Sequence, residues 1–170
     1  KPWGVSSIYS ITDPAYRGVL QIEPERLYKA AKFSLEHDLQ FTAHAVGDAG
    51  VRTLVDCYRR INDSFPVAPT RPNVTHCNFM SPEIIASMKE LGVVADLQPV
   101  WLWADGKTLF HHFGNDRMTW FQPYRTLFDK GVIVGGGSDH MQKIGSFRSI
   151  NPYNPFLGME TAITRIPRRF

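Results

Sequence analysis

The sequence predicts an α/β fold built on parallel β-strands. Short apolar runs alternate with longer segments whose apolar residues recur every three or four positions, the patterns of buried strands and amphipathic helices. Parallel strands need a crossover connection, usually a helix, so strict alternation over residues 23–136 indicates a parallel sheet with helices packed on it. Two of the predicted strands end at His44 and His76, which are 32 residues apart, about one strand–helix unit.

The composition is that of a globular protein. The chain has 170 residues, 43% hydrophobic and 21% charged, with a formal net charge of +3 and no long basic run, which does not suggest a nucleic-acid surface. No stretch approaches the length of a membrane-spanning helix, and no signal peptide is visible. Two cysteines are too few for a disulfide framework and fit a reducing compartment, so we expect a cytoplasmic location.

The first strand–helix unit is strongly patterned. Residues 1–21 contain scattered proline and glycine and predict a loop. A helix begins at Pro24 and ends near His37, and a strand over residues 39–43 delivers His44 to its carboxyl end. The next helix covers about residues 49–61, with apolar residues on one face. These residues are Val51, Leu54, Val55, Tyr58 and Ile61.

Three further strands follow. A strand over residues 73–75 ends at His76, and a helix with Ser81 as its N-cap then stops at Gly92. The third strand covers residues 93–99, and we interpret the long aromatic stretch after it as a loop. After a short helix, 124–130, the fourth strand, 132–136, runs into Ser138 and Asp139.

Metal-competent side chains thus end three predicted strands: His44, His76 and Asp139. The carboxyl ends of parallel strands share one rim of the sheet, where α/β folds bind ligands. A histidine at a strand end is also a common structural residue, and the pattern alone leaves a metal site and a structural role equally open.

The motifs resemble a known family. HAVGDAGVR (44–52), THCN around His76, LGVVADLQP (91–99), GGGSDH (135–140) and AITR (162–165) keep the order and spacing of the metal-dependent amidohydrolase superfamily. The resemblance is greatest to amidohydrolase family 3, the branch that contains N-substituted formamide deformylases. It implies that strands one to four here are strands five to eight, the C-terminal half, of a (β/α)₈ barrel.

The resemblance also implies a chemistry. His44 and His76 match the family's strand-five and strand-six metal ligands, and Asp139 matches the strand-eight aspartate, which contacts metal and shuttles a proton. The implied cofactor is one or two divalent ions, usually zinc, which generate hydroxide from water near neutral pH. The implied reaction is hydrolysis of amide-like, non-peptide C–N bonds in a small-molecule substrate.

The sequence departs from the family at two places. The first-strand His-x-His pair and the strand-four ligand are absent, and two histidines with one aspartate are too few for a tight zinc site. The chain starts with Lys1 rather than methionine, and it ends at Phe170, just after the start of a predicted helix. We therefore expect residues 1–170 to be one partial barrel domain, a fragment of a longer protein. Alone, it is expected to bind metal weakly or not at all, to lack turnover, and to self-associate or pair with the missing half.

Several residues have two interpretations. Trp101 and Trp103 could bind substrate as part of an apolar lid, or could pack the long loop onto the barrel, and His140 could line the pocket or belong to a loop. Cys77 follows His76, so strand alternation points it away from the site. A phosphate site at Gly135–Gly137 lacks the accompanying lysine of a phosphate loop.

Two classes of function follow. The first is a metal-dependent hydrolase of amide-like C–N bonds. The second is a non-catalytic half-barrel module that acts by association with another chain. No interaction with nucleic acid or membrane is expected.

Overall fold

The computed structural model describes residues 18–140 and 153–168. Its strands are β1 (Thr42–Ala45), β2 (Asn73–His76), β3 (Val94–Leu97) and β4 (Val134–Gly136). Its helices are α1 (Pro24–Glu36), α2 (Asp48–Asn62), α3 (Pro82–Leu91), α4 (Val100–Met118), α5 (Tyr124–Asp129) and α6 (Pro155–Thr164). Within the described ranges, no helix has both the length and the apolar character needed to cross a membrane. Of the loop predicted over residues 1–21, only 18–21 are described, and they form no helix or strand.

The four strands form one parallel sheet in the order β1-β2-β3-β4. Each strand pairs with the next in sequence, with helices in the connections. The predicted α/β class with parallel strands is therefore confirmed. Because the strands run in the same direction, the ends of β1 and β2 and the loop after β4 open on the same rim of the sheet.

The two faces of the sheet differ in polarity. Along β2 and β3, Val74, Ala95 and Leu97 are fully buried in the main core, and the residues between them are only half-buried. On the other face, the hydroxyl oxygens of Thr42 and Thr75 lie 2.8 Å apart. The apolar face packs against the helices, and all five apolar residues predicted to be buried on α2 belong to that core.

The ends of α3 agree with the sequence pattern. The hydroxyl of Ser81 accepts a hydrogen bond from the Ile84 amide at 3.4 Å, as an N-cap does. Gly92 ends the helix in the left-handed conformation, with φ of 68°. A Cβ atom there would lie 3.0 Å from Cβ of Ala68, so both the backbone and the space favour glycine.

The interpretation of the aromatic stretch as a loop is wrong, because most of it is helix α4. Leu102, Gly106 and Leu109 recur at helical spacing and are buried, and this face, not the aromatic residues, specifies the element. Gly114, with φ of 72° and ψ of 169°, breaks the regular helix near its end. Residues of α4 form a second apolar cluster with Phe79 and Phe121.

Three strands differ from the prediction in their boundaries, and β3 is shorter than the predicted 93–99. β1 begins at Thr42 and continues one residue past His44, whereas the sequence pattern began the strand at Leu39. Leu39 is 57% exposed and follows Asp38, whose φ of 58° turns the chain. Leu39 is therefore apolar but exposed, and it does not belong to the strand. β4 begins at Val134, two residues later than predicted.

Candidate active site

A cavity of about 470 Å³ lies at the carboxyl ends of the strands. Its walls come from the ends of the strands, from the second apolar cluster and from one face of α4. Its lining residues are His44, Val46, His76, Asn78, Phe79, Trp101, Asp105, Thr108, Leu109, Phe121 and Asp139. The structure thus brings His44, His76 and Asp139 to the same cavity.

The two histidines lie against each other. Their ring centroids are 4.4 Å apart and the ring planes meet at 74°. Simple alternation along β2 would place Thr75 and His76 on opposite faces of the sheet. His76 instead has φ of 83°, a left-handed value that is rare for a residue with a side chain, and this bend redirects the imidazole toward His44. Cys77, also left-handed, is fully buried in the core, where its thiol contacts the Val74 carbonyl oxygen.

Asp139 completes the group from the loop after β4. Its Oδ2 lies 4.0 Å from Nδ1 of His76 and accepts a hydrogen bond from the indole Nε1 of Trp101 at 3.1 Å. Asp139 is also left-handed, with φ of 48°. Two of the three neighbouring polar residues thus have a strained backbone. Such conformations cost about 1–3 kcal/mol each and cluster at functional sites.

A buried glutamine fixes the proton of His76. Oε1 of Gln98 lies 2.7 Å from Nδ1 of His76, and Gln98 is 4% exposed. Nε2 of Gln98 donates to the Asp96 carbonyl oxygen at 3.3 Å, which leaves its amide oxygen facing the ring. Since that oxygen can only accept, Nδ1 of His76 carries the hydrogen and the lone pair is on Nε2.

The electrostatics favour neutral imidazole. Burial lowers the pKa of His44, and the neighbouring His76 lowers it further, against an opposing effect of Asp139. A histidine must be neutral to bind a metal ion. Burial also raises the pKa of Asp96, a carboxyl group that shares the polar face of the sheet.

The donor types fit part of a divalent metal site. Imidazole and carboxylate groups both bind Zn²⁺, so His44, His76 and Asp139 could supply part, though not all, of a catalytic zinc site. Within the described ranges, however, no group of three or more histidine, cysteine, aspartate or glutamate side chains is arranged to hold a metal ion. His44 and His76 are adjacent, whereas Asp139 approaches His76 from the side of Nδ1.

The three predicted substrate-binding residues lie in different places. Trp101 lines the cavity and holds Asp139. Trp103 lies two residues further along α4, and the guanidinium carbon of Arg168 is 5.8 Å from the centroid of the Trp103 ring. His140 is exposed, with its ring 4.9 Å from that of Tyr153. Neither Trp103 nor His140 lines the cavity that the described residues enclose.

Three polar residues of this region were absent from the sequence prediction: Asn78, Gln98 and Asp105. Asn78 and Gln98 each lie two residues or fewer beyond a strand end, so their proximity to the rim was available as a signal. Asp105 depends on α4 being a helix, which the sequence interpretation missed.

The comparisons with known proteins bear on this arrangement. A family model described as an amidohydrolase family matches residues 5–169. The chain belongs to the amidohydrolase family. The resemblance to amidohydrolase family 3 is thus confirmed.

Relatives and solved structures agree with the family. The chain is 26% identical over 153 residues to YtcJ of Bacillus subtilis (strain 168), which is named as an amidohydrolase, covering 90% of this chain and 27% of YtcJ. It is 23% identical over 161 residues to the Arabidopsis thaliana protein LONG AFTER FAR-RED 3, covering 94% of this chain and 26% of that protein. The chain therefore spans about a quarter of the length of these relatives.

Two crystal structures share the fold. Both are described as uncharacterized metal-dependent hydrolases. The one from Pyrococcus furiosus matches with a TM-score of 0.71 at 19% identity, covering 91% of this chain and 29% of the other. The one from Pyrococcus horikoshii OT3 matches with a TM-score of 0.72 at 22% identity, covering 90% and 28%. The parallel sheet of this amidohydrolase chain accordingly has the fold of part of an amidohydrolase-type barrel.

Gln98 provides a test of the site that does not require turnover. Gln98→Leu removes the acceptor for Nδ1 of His76, so the ring loses its fixed tautomer. We expect the affinity of the full-length protein for Zn²⁺ to fall about 10–100-fold, the usual effect of losing such a partner. Competition with a chromophoric chelator measures the affinity. Gln98→Glu, which keeps the acceptor, is the matched control, and an unchanged affinity in Gln98→Leu would show that the contact is purely structural.

Proposed function

We propose that this chain supplies part of the active site of a metal-dependent hydrolase of amide-like C–N bonds other than peptide bonds. The observation that supports it is the meeting of His44, His76 and Asp139 in one cavity at the carboxyl ends of parallel strands. Small N-substituted amides, including formamides, are the proposed substrate class, in line with the motifs shared with amidohydrolase family 3.

His44 and His76 are the proposed metal ligands of this chain. The lowered pKa of His44 favours the neutral form that binds a metal, and the hydrogen bond to Gln98 orients the ring of His76. A bound divalent ion, which we propose to be zinc, would lower the pKa of a water molecule and polarise the substrate carbonyl. The other members of a complete ligand set are not among the described residues.

Asp139 is the proposed proton carrier. Its carboxylate lies 4.0 Å from Nδ1 of His76, where it can accept the proton of the attacking water and pass it to the leaving amine. The Trp101 indole engages Oδ2 and so restricts the rotation of the carboxylate. We also propose Asp139 as a contact to the metal.

The free, buried cysteines Cys57 and Cys77 fit a reducing compartment, and on that basis we propose a cytoplasmic location.

A second candidate function is a non-catalytic half barrel that associates with another chain. Large apolar side chains near β4 favour it: Phe128 is 62% exposed, Ile133 55% and Ile163 82%. An incomplete barrel also leaves the outer edges of β1 and β4 to be paired or covered. The proposed partner is the remainder of the barrel or a second copy of this chain.

Metal removal separates the two candidates. In the full-length protein, a chelator is expected to lower the hydrolysis of a small N-substituted formamide by about 100-fold or more, and Zn²⁺ is expected to restore it. Metal analysis and a mass measurement in solution accompany the assay. A folded, metal-free protein without turnover would contradict the hydrolase and favour the association module.

A further inference from the structure

One face of α4 forms a wall of the candidate active site. Trp101, Asp105 and Thr108 are spaced by four and three residues, and all three line the cavity together with Leu109. Trp101 is already tied to Asp139 by its indole hydrogen bond. The roles proposed above leave Asp105 without a function.

The Asp105 carboxylate is partly shielded from water and has no hydrogen-bond donor among the described residues. Burial raises its pKa, and the charge of Arg168 opposes that effect only in part. Among the described residues, none donates a hydrogen bond to the side chain of Asp105. A half-buried carboxylate that lacks a donor is stabilised when a cation or a strong hydrogen-bond donor approaches it.

The surroundings of Asp105 favour a positively charged group. The cavity walls include the aromatic rings of Trp101 and Phe121, whose faces attract cations, and that of Phe79, over which the Arg117 guanidinium already lies. The described residues that line the cavity include two carboxylates and no lysine or arginine. An anionic substituent would therefore meet like charge and no partner on this wall.

We propose that Asp105 selects substrates that carry a cationic group, an ammonium or a guanidinium, at a short distance from the amide to be cleaved. This inference rests on the proposed hydrolase function and specifies its substrate class. Asp105 lies four residues beyond Trp101, about 6 Å along the helix axis, and Trp101 contacts Asp139 at the proposed reaction centre. The substrate thus places its amide near the histidine pair and its cation one helical turn away.

Three formamides with the same four-methylene chain test the proposal: N-formyl-1,4-diaminobutane, N-formylpentylamine and N-formyl-5-aminopentanoate. They end in an ammonium, a methyl and a carboxylate group. Calorimetric titration of the full-length protein, with its metal removed to prevent turnover, gives the three dissociation constants. We expect the ammonium compound to bind about tenfold or more tightly than the methyl compound, and the carboxylate compound most weakly.

Asp105→Asn is expected to abolish the preference for the ammonium compound while leaving the affinity for the methyl compound unchanged. Asp116→Asn removes the same charge from an exposed position of the same helix, away from the cavity, and is expected to keep the preference. An equal loss in both variants would overturn the proposal, because it would show a long-range effect of net charge.

The order of the three dissociation constants in the unsubstituted protein tests the proposal even if Asp105→Asn fails to fold. Equal binding of the ammonium and methyl compounds, or tightest binding of the carboxylate compound, overturns the proposal. Hydrolysis is measured separately with the metal-loaded protein. Absence of hydrolysis for all three compounds would count against the proposed function, whereas the binding ranking would still decide the role of Asp105.

Discussion

Asp139→Asn is expected to lower kcat for amide hydrolysis by about 10³-fold or more in the metal-loaded, full-length protein, since general acid–base groups contribute about 10²–10⁴-fold. The substitution keeps the size of the side chain and tolerates the left-handed backbone at this position, where φ is 48°. It removes the carboxylate that lies 4.0 Å from Nδ1 of His76 and that Trp101 holds by a hydrogen bond. The loss is therefore chemical, and thermal stability should change little. Asp139→Ala is expected to reduce kcat at least as much.

Asp129→Asn is the matched control for Asp139→Asn. Asp129 forms an exposed ion pair with Arg125 one turn away on α5 and lies outside the cavity, so its loss should leave kcat unchanged. Metal content must be measured in each variant, because Asp139 is also a proposed metal contact. Undiminished turnover in Asp139→Asn with full metal content would rule out the role of Asp139 as a proton carrier.

The regular part of the fold was predictable because single, clear periodicities specify it. The apolar series of α2 and the capped helix from Ser81 to Gly92 occupy the positions that the sequence indicates. Helix α4 was missed because its aromatic residues lie on several sides and obscure the buried series of Leu102, Gly106 and Leu109. A mixed pattern of this kind shows its period only when the packing partners are known.

The site was predictable in its parts but not in its geometry. His44, His76 and Asp139 could be found because each lies near a strand end, and parallel strands bring those ends together. The hydrogen bond that His76 donates to Gln98 joins residues 22 positions apart and depends on the two strands lying side by side. The left-handed backbone of His76 could not be predicted, because positive φ stays uncommon for every residue other than glycine, including histidine, in which it is enriched.

Arg165→Met is expected to lower the free energy of unfolding by about 1–3 kcal/mol, because it removes a charged hydrogen-bond donor from backbone carbonyl groups. The half-buried guanidinium of Arg165, at the end of α6, donates to the carbonyl oxygens of Gln122 at 3.0 Å and Phe121 at 2.5 Å. Gln122 is fully buried, and its Nε2 donates to Oδ1 of Asn78 in the cavity wall at 2.6 Å. Arg165 thus connects α6 to a residue of the candidate active site. Urea denaturation followed by circular dichroism measures the change.

Arg125→Met separates this effect from the general loss of an arginine. The side chain of Arg125 is 90% exposed and pairs with Asp129 four residues away on α5, an arrangement that contributes little to stability. The midpoint and slope of urea denaturation should therefore be unchanged in Arg125→Met. Burial lowers the pKa of Arg165, so its charge carries a desolvation cost that the backbone carbonyl groups and the nearby Tyr124 partly offset. Equal midpoints for the two variants would show that the carbonyl contacts of Arg165 do not hold α6 against the barrel.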